Sequence, residues 1–215
     1  MLVISFCGYV AIINRNSKDM SLRQQILKAV YPLFKSFNKI SGKGTTILSN
    51  GNKTLPPFSF YDLSVVLNNG DTISMATLKG KKVLLVNTAS DCGYTPQYTD
   101  LQRLYEEHKE HMQVIGFPAN DFKEQEKGTD EEIAVFCKVN YGISFPITKK
   151  CSVIKGREQH EVFNWLTDKS KNGWNNKFPG WNFSKYLVNE NGLLTNYFGP
   201  SVSPVSKEVQ AAINK

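Results

Sequence analysis

The sequence has no paired cysteines. Its 215 residues contain Cys7, Cys92, Cys137 and Cys151 at no repeated spacing, and Thr95 stands where a Cys-x-x-Cys partner of Cys92 would be. Dithiol exchange within one loop is thereby excluded. Histidine is as scarce, with only His108, His111 and His160, so no Cys/His set has the spacing of a metal site and none is expected. The only arginines are Arg15, Arg23, Arg103 and Arg157, and Ala89 stands three residues before Cys92 where a threonine could have helped hold an arginine-stabilised thiolate. No apolar run reaches the roughly 20 residues that span a bilayer. The longest, residues 1–13, also lacks a basic flank and a clear cleavage site, which makes a secretory signal a weak reading. Low-complexity tracts and domain-scale repeats are absent too.

Charge is present but unevenly placed. The formal net charge is +7, and residues 1–53 supply it with eight basic residues (Arg15, Lys18, Arg23, Lys28, Lys35, Lys39, Lys43, Lys53) against Asp19 alone. Residues 54–215 balance 18 basic with 18 acidic groups. A neutral main body gives no electrostatic footprint for nucleic acid. Within the basic tail, Leu22, Ile26, Val30, Leu33 and Phe37 recur at helical spacing, which predicts an amphipathic segment over 21–39, bent near Pro32. Such a segment would pack on the main body or attach loosely to it; the alternative is an anionic membrane surface. After Gly42 the run of Gly, Thr, Ser and Asn has linker composition, and Met20 is an alternative start to Met1.

From residue 54 onward the pattern alternates. A hairpin is expected over 60–67 and 72–75 around Asn68-Asn69-Gly70, then a strand over 83–88, a helix over 96–110, a strand over 113–117 and a helix over 130–139. The second helix has a capping-box start, Thr129 followed three residues later by Glu132. A strand over 151–154, a helix over 158–169, strands over 185–189 and 193–198 and a closing helix over 204–213 follow. The order predicts an α/β fold, a thioredoxin-like three-layer α/β/α domain with an N-terminal hairpin preceded by a basic tail.

Cys92 lies between the buried strand's carboxyl end and the helix opened by Thr95 and Pro96. Open α/β sheets place reactive groups there, and a helix amino terminus favours a thiolate. A buried structural cysteine would occupy the same place.

Three segments resemble the glutathione peroxidase family: Val86-Asn87-Thr88-Ala89-Ser90-Asp91-Cys92-Gly93-Tyr94-Thr95, Gly116-Phe117-Pro118-Ala119-Asn120-Asp121-Phe122 with Gln125-Glu126, and Trp181-Asn182-Phe183 before Tyr186-Leu187-Val188. The resemblance implies a thiol peroxidase without a cofactor, in which Cys92 attacks a hydrogen peroxide or an organic or lipid hydroperoxide. Gln125, Trp181 and Asn182 would be its hydrogen-bond donors, with Asn87, Gly93, Thr95 and Asn120 in support. Uncharged amides and an indole N–H suit charge that develops on the leaving oxygen. Gly173-Trp174-Asn175 repeats the third motif seven residues earlier, but Trp181 is preferred because it enters a strand directly.

The family resemblance further implies Cys137 as the resolving cysteine, reached by local unwinding of its helix, while Cys151 is read as packing. Ala119 stands where many relatives have cysteine. Asp121, Lys123 and Lys127 depart from the family pattern in the loop that holds Gln125, and Asp91 is expected to point to solvent. A monomer recycled by a thioredoxin-type protein, with glutathione the less favoured reductant, completes the expectation. A peroxide sensor passing its oxidation to a partner protein, and a membrane-associated lipid-hydroperoxide peroxidase using glutathione, are the alternatives. The location expected is cytoplasmic, with membrane association or export through the N-terminal segment as variants.

Overall fold

The computed structural model describes residues 20–41 and 45–215, with the side chains of 34–41 excepted. The apolar segment 1–13 and Cys7 lie outside the described residues. The five-stranded sheet has the order β1 (Ile47–Ser49), β7 (Leu194–Phe198), β6 (Lys185–Val188), β4 (Lys82–Thr88), β5 (Met112–Pro118), and a separate hairpin pairs β2 (Ser64–Val66) with β3 (Thr72–Ser74). Only β4 and β5 run parallel, joined through α2 (Gln97–His108); the other pairs are antiparallel. The thioredoxin-like arrangement follows from this order.

Side chains alternate across the central strands and build one core on each face. Leu84 and Val86 of β4 and Leu187 of β6 join Tyr98, Leu101 and Leu104 of α2 and Ile133 and Cys137 of α3 (Asp130–Tyr141). Val83, Leu85, Ile115, Phe117, Tyr186 and Val188 face the other way, onto the hairpin and onto Phe163 and Trp165 of α4 (Glu161–Leu166). Cys92 belongs to the first core and Cys151 borders the second, so the sheet separates them.

α3 begins at the expected capping box: the Thr129 hydroxyl accepts from the Glu132 N–H and the Glu132 carboxylate from the Thr129 N–H. It ends where Gly142 takes a left-handed φ of 63°, which a side chain would oppose.

Four sequence expectations need correction. Residues 47–49, read as linker, form an edge strand on β7, with Ile47 opposite Phe198. No strand forms over 151–154; Ser152 makes only an isolated bridge to Gln159. The helix expected over 158–169 is two short helices, α4 and α5 (Lys169–Asn172), because Asp168 interrupts it as an N-cap whose carboxylate accepts from the Ser170 N–H. Phe60–Asp62 is a 3-10 turn rather than part of the hairpin strand.

α1 (Leu22–Ser41) runs through Pro32 and lies on the first core, with Met20 and Ala29 buried. Its Gln24 amide donates to the Ser90 carbonyl (3.0 Å), Lys28 donates to the Asn140 carbonyl (3.3 Å), and the same ammonium sits 4.8 Å from the Tyr141 ring centre. The last helix is α6 (Lys207–Ile213). Among the described residues no helix is long and apolar enough to cross a membrane.

Candidate active site

The residues after β4 fold into a turn that fixes Cys92 before α2 begins. The Thr95 hydroxyl donates to the Ala89 carbonyl (2.8 Å) and accepts from the Cys92 N–H (3.0 Å), closing the turn on itself. Gly93 lies inside this turn, and the Tyr94 N–H donates to the Cys92 sulfur at 3.4 Å. The sulfur is buried, its residue only 1% exposed.

The loop after β5 brings the second group of residues. The Asn120 side-chain oxygen accepts from the Glu126 N–H (2.9 Å), and the Gln125 carbonyl accepts from the Asp91 N–H (3.0 Å). Lys123 and Glu124 take left-handed φ of 52° and 51°, a conformation that costs non-glycine residues energy, and the loop is pinned in it. Asp121 supplies part of the pin by accepting from the Ser152 hydroxyl (2.9 Å) and the Val153 N–H (2.7 Å).

Asn87 holds the third group. Its amide donates to the Trp181 carbonyl (3.1 Å) and its side-chain oxygen accepts from the Ser184 N–H (3.0 Å), which seats the turn carrying Trp181 and Asn182 directly over β4. Phe183 follows at φ 66° and is itself fixed by the Lys185 ammonium, which donates to its carbonyl at 2.8 Å. Lys185 is fully buried and also donates to the Val202 carbonyl (2.7 Å).

The Trp181 indole and the Asn182 amide both reach the Cys92 sulfur and favour its thiolate. Gln125 stands one step behind, its side-chain oxygen accepting from the Asn182 amide at 3.1 Å. The Trp181 ring stacks at a tilt on Phe122, with centres 5.5 Å apart. Trp174 lies on the opposite face, where its indole donates to the Leu194 carbonyl (2.7 Å) and borders the other core.

Burial pushes the Cys92 thiol up from its ordinary value; the Tyr94 N–H, Trp181, Asn182 and, more weakly, Arg23 pull it back down. The thiolate is therefore favoured by those donors, and the helix terminus is more remote, its first residue, Gln97, coming five positions later. Two expectations change here. Asp91 does not point freely to solvent but forms an ion pair with Arg23 of α1, and so an arginine does act at this cysteine, from far away in sequence.

Sequence reasoning missed two further residues. The Ser90 hydroxyl donates to the Glu126 carboxylate at 3.1 Å, and burial pushes the Glu126 carboxyl up to about 7. The only sequence signal was the place of Glu126 inside the second motif; its polar surroundings indicated a solvated loop. A cavity of 590 Å³ opens beside this pair, lined by Ser90, Asp91, Gln125, Glu126, Ile133 and Phe136 among others. Cys92, Cys137 and Cys151 are all free thiols. Among the described residues no group of His, Cys, Asp and Glu could hold a metal.

Known proteins show which family this chain resembles. The family model for glutathione peroxidase matches residues 60–167. The chain is 44% identical over 158 residues to a "Glutathione peroxidase homolog BsaA" of Staphylococcus epidermidis, covering 73% of this chain and 98% of that one. It is 41% identical over 160 residues to a "Glutathione peroxidase-like peroxiredoxin 2" of Saccharomyces cerevisiae, with the same shares covered. A crystal structure of Trgpx in apo form superposes with a TM-score of 0.55 at 30% identity, over 74% of this chain and 97% of that one. With a buried thiol among amide and indole donors on a thioredoxin-like sheet, and with these relatives, the chain belongs to the glutathione peroxidase family and is a thiol-dependent peroxidase.

Proposed function

We propose that Cys92 is the peroxidatic thiol, that Trp181 and Asn182 are its side-chain donors, and that Gln125 orients the Asn182 amide. The observation that carries this is the convergence of the Tyr94 N–H, the Trp181 indole and the Asn182 amide on one sulfur. The thiolate attacks one peroxide oxygen, the O–O bond breaks, and the other oxygen leaves as hydroxide or alkoxide that takes a proton from solvent. Donors without permanent charge stabilise the thiolate and the developing oxyanion without trapping either as an ion pair. The test is peroxide consumption by Cys92→Ser, which falls to background; a variant with wild-type rate constants would refute the assignment.

Cys137 resolves the sulfenic acid in this reading. It is buried in the same core as Cys92 on the helix that packs over the site, and bridging requires that helix to open, since a disulfide needs Cα atoms within about 7 Å. Mass mapping after one equivalent of peroxide gives the Cys92–Cys137 bond in wild type and a lasting sulfenic acid in Cys137→Ser. A bond to Cys151 would reverse the roles, although the sheet separates that thiol from Cys92.

A thioredoxin-type protein is the reductant favoured by the charge around the site. In the cavity lining, Asp91 is paired with Arg23 and Glu124 with Lys127, and Glu131 and Glu132 add negative charge beyond those pairs. Glutathione, with two carboxylates and one ammonium, is repelled there, whereas a protein disulfide reductase brings its thiol on a larger surface. Steady-state turnover is faster with thioredoxin than with glutathione at equal thiol concentration; the reverse order would refute this.

Association of α1 with anionic lipid is a second reading, favoured by its outward Leu22 and Leu33, which are 74% and 71% exposed, and by the excess of basic residues over 1–53. Sedimentation with phosphatidylserine vesicles tests it. Binding that is equal with neutral vesicles, or absent from both, would refute it.

A further inference from the structure

Glu126 is a buried carboxyl, 1% exposed, that peroxide attack on Cys92 does not require. It is held from one side by Ser90, two residues before Cys92, whose hydroxyl donates to it at 3.1 Å and whose backbone N–H donates as well. On its other side its charge acts on Cys137 of α3 and Tyr98 of α2, both buried. One carboxyl thus lies beside the turn that carries Cys92 and shares a cavity with the helix of the thiol assigned to resolve it. The cavity beside it is bounded by Ile133 and Phe136 of α3, so there is room on this side for the Cys137 segment to move.

The remaining charged groups around Glu126 are Lys150, whose ammonium is tied to the Gly128 carbonyl at 2.6 Å, and at the cavity lining Asp91, Glu124, Lys127, Glu131 and Glu132. Lys150 acts on the carboxyl more weakly than burial does. Burial raises the Cys137 thiol to about 12, so a free Cys137 thiolate is scarce at neutral pH and the proton has to leave as the new bond forms. A base is needed at that sulfur.

We propose that Glu126 is the proton shuttle of the resolving step: its carboxylate takes the Cys137 proton as that sulfur attacks the Cys92 sulfenic acid, and gives it to the hydroxide that departs. The S–S bond forms, the S–O bond of the sulfenic acid breaks, and one water is released. The Cys92 sulfur is reduced and the Cys137 sulfur oxidised, so no outside oxidant or reductant enters. The assignment rests on Cys137 being the resolving thiol.

Single-turnover oxidation with one equivalent of hydrogen peroxide, quenched at intervals by alkylation and mapped by mass, reads sulfenic acid formation and disulfide formation separately. In wild type, disulfide formation accelerates as pH rises through about 7, where the carboxyl loses its proton, and then levels off. In Glu126→Gln, which keeps the shape and the Ser90 contact, it slows by roughly 10²-fold and loses that pH dependence, as removal of a general base does. Glu126→Asp recovers part of the rate together with the pH dependence. Disulfide formation in Glu126→Gln at the wild-type rate and with the wild-type pH profile overturns the proposal and leaves Cys137 as the resolving thiol. Absence of a Cys92–Cys137 bond in wild type overturns both. Should both steps slow in Glu126→Gln, Glu126→Asp decides: recovery of pH-dependent resolution supports the shuttle, and its failure overturns it.

Discussion

At Cys92 two opposing effects meet. Burial disfavours the thiolate, while the Tyr94 N–H, Trp181 and Asn182 favour it, so in the proposed reaction each donor acts on the fraction of thiolate as well as on the transition state. Trp181→Phe and Asn182→Ala are expected to slow the first turnover with peroxide by roughly ten- to a thousandfold each, the range seen when a preorganised donor is lost. Gln125→Ala acts through the Asn182 amide that it orients, so its effect is smaller than that of Asn182→Ala in the same stopped-flow measurement. Trp174→Phe loses one hydrogen bond to the Leu194 carbonyl and costs about 1 kcal/mol in denaturant unfolding, with peroxide kinetics unchanged.

Two helices reach the site from outside the thioredoxin-like strands. α1 pairs Arg23 with Asp91 and lends positive charge to the Cys92 sulfur. Arg23→Gln should raise the pH at which the thiol becomes alkylatable by iodoacetamide, and added salt should do the same in wild type because this guanidinium is solvent-exposed. An unchanged alkylation profile in the variant would remove α1 from the chemistry. α3 is fixed at its start by the capping box, where Thr129→Ala is expected to cost about 0.5–2 kcal/mol of unfolding free energy, measured by urea titration. Because opening of this helix precedes the Cys92–Cys137 bond in the proposed cycle, the same substitution speeds disulfide formation.

For the whole molecule, Glu126 links folding to pH. Its carboxyl is raised from 4.5 to about 7 in the folded state, so between those values the native protein holds a proton that the unfolded chain releases. The stabilising contribution of the neutral group is complete below pH 4.5 and is lost as pH rises through about 7. At 1.36 kcal/mol for each pKa unit, the loss is on the order of 3 kcal/mol. The difference in unfolding free energy between wild type and Glu126→Gln, followed by urea titration from pH 5 to pH 8, should therefore shift against wild type as pH rises. A pH-independent difference would show that the carboxyl has an ordinary affinity for protons.

Local chemistry decided much of this protein without reference to its fold. The apolar run into β4, the Thr129 and Glu132 capping pair and the alternation of strand and helix patterns each depend on neighbours a few residues away, and each could be read from the chain. The three motifs likewise marked Cys92, Gln125, Trp181 and Asn182. What sequence could not supply was contact between distant segments. Ile47–Ser49 is a strand only because the edge of β7 offers it carbonyls and N–H groups; its own composition is that of a linker. Arg23 and Asp91 stand 68 residues apart, and Asn87 and Trp181 stand 94 apart, so neither pairing has a spacing to detect. Glu126 sits in a run of charged residues whose composition indicates solvent, yet the turn of that loop places it alone among its neighbours in the interior, against Ser90. Residue types are written along the chain, but burial and charge at a given atom depend on what the rest of the molecule brings there.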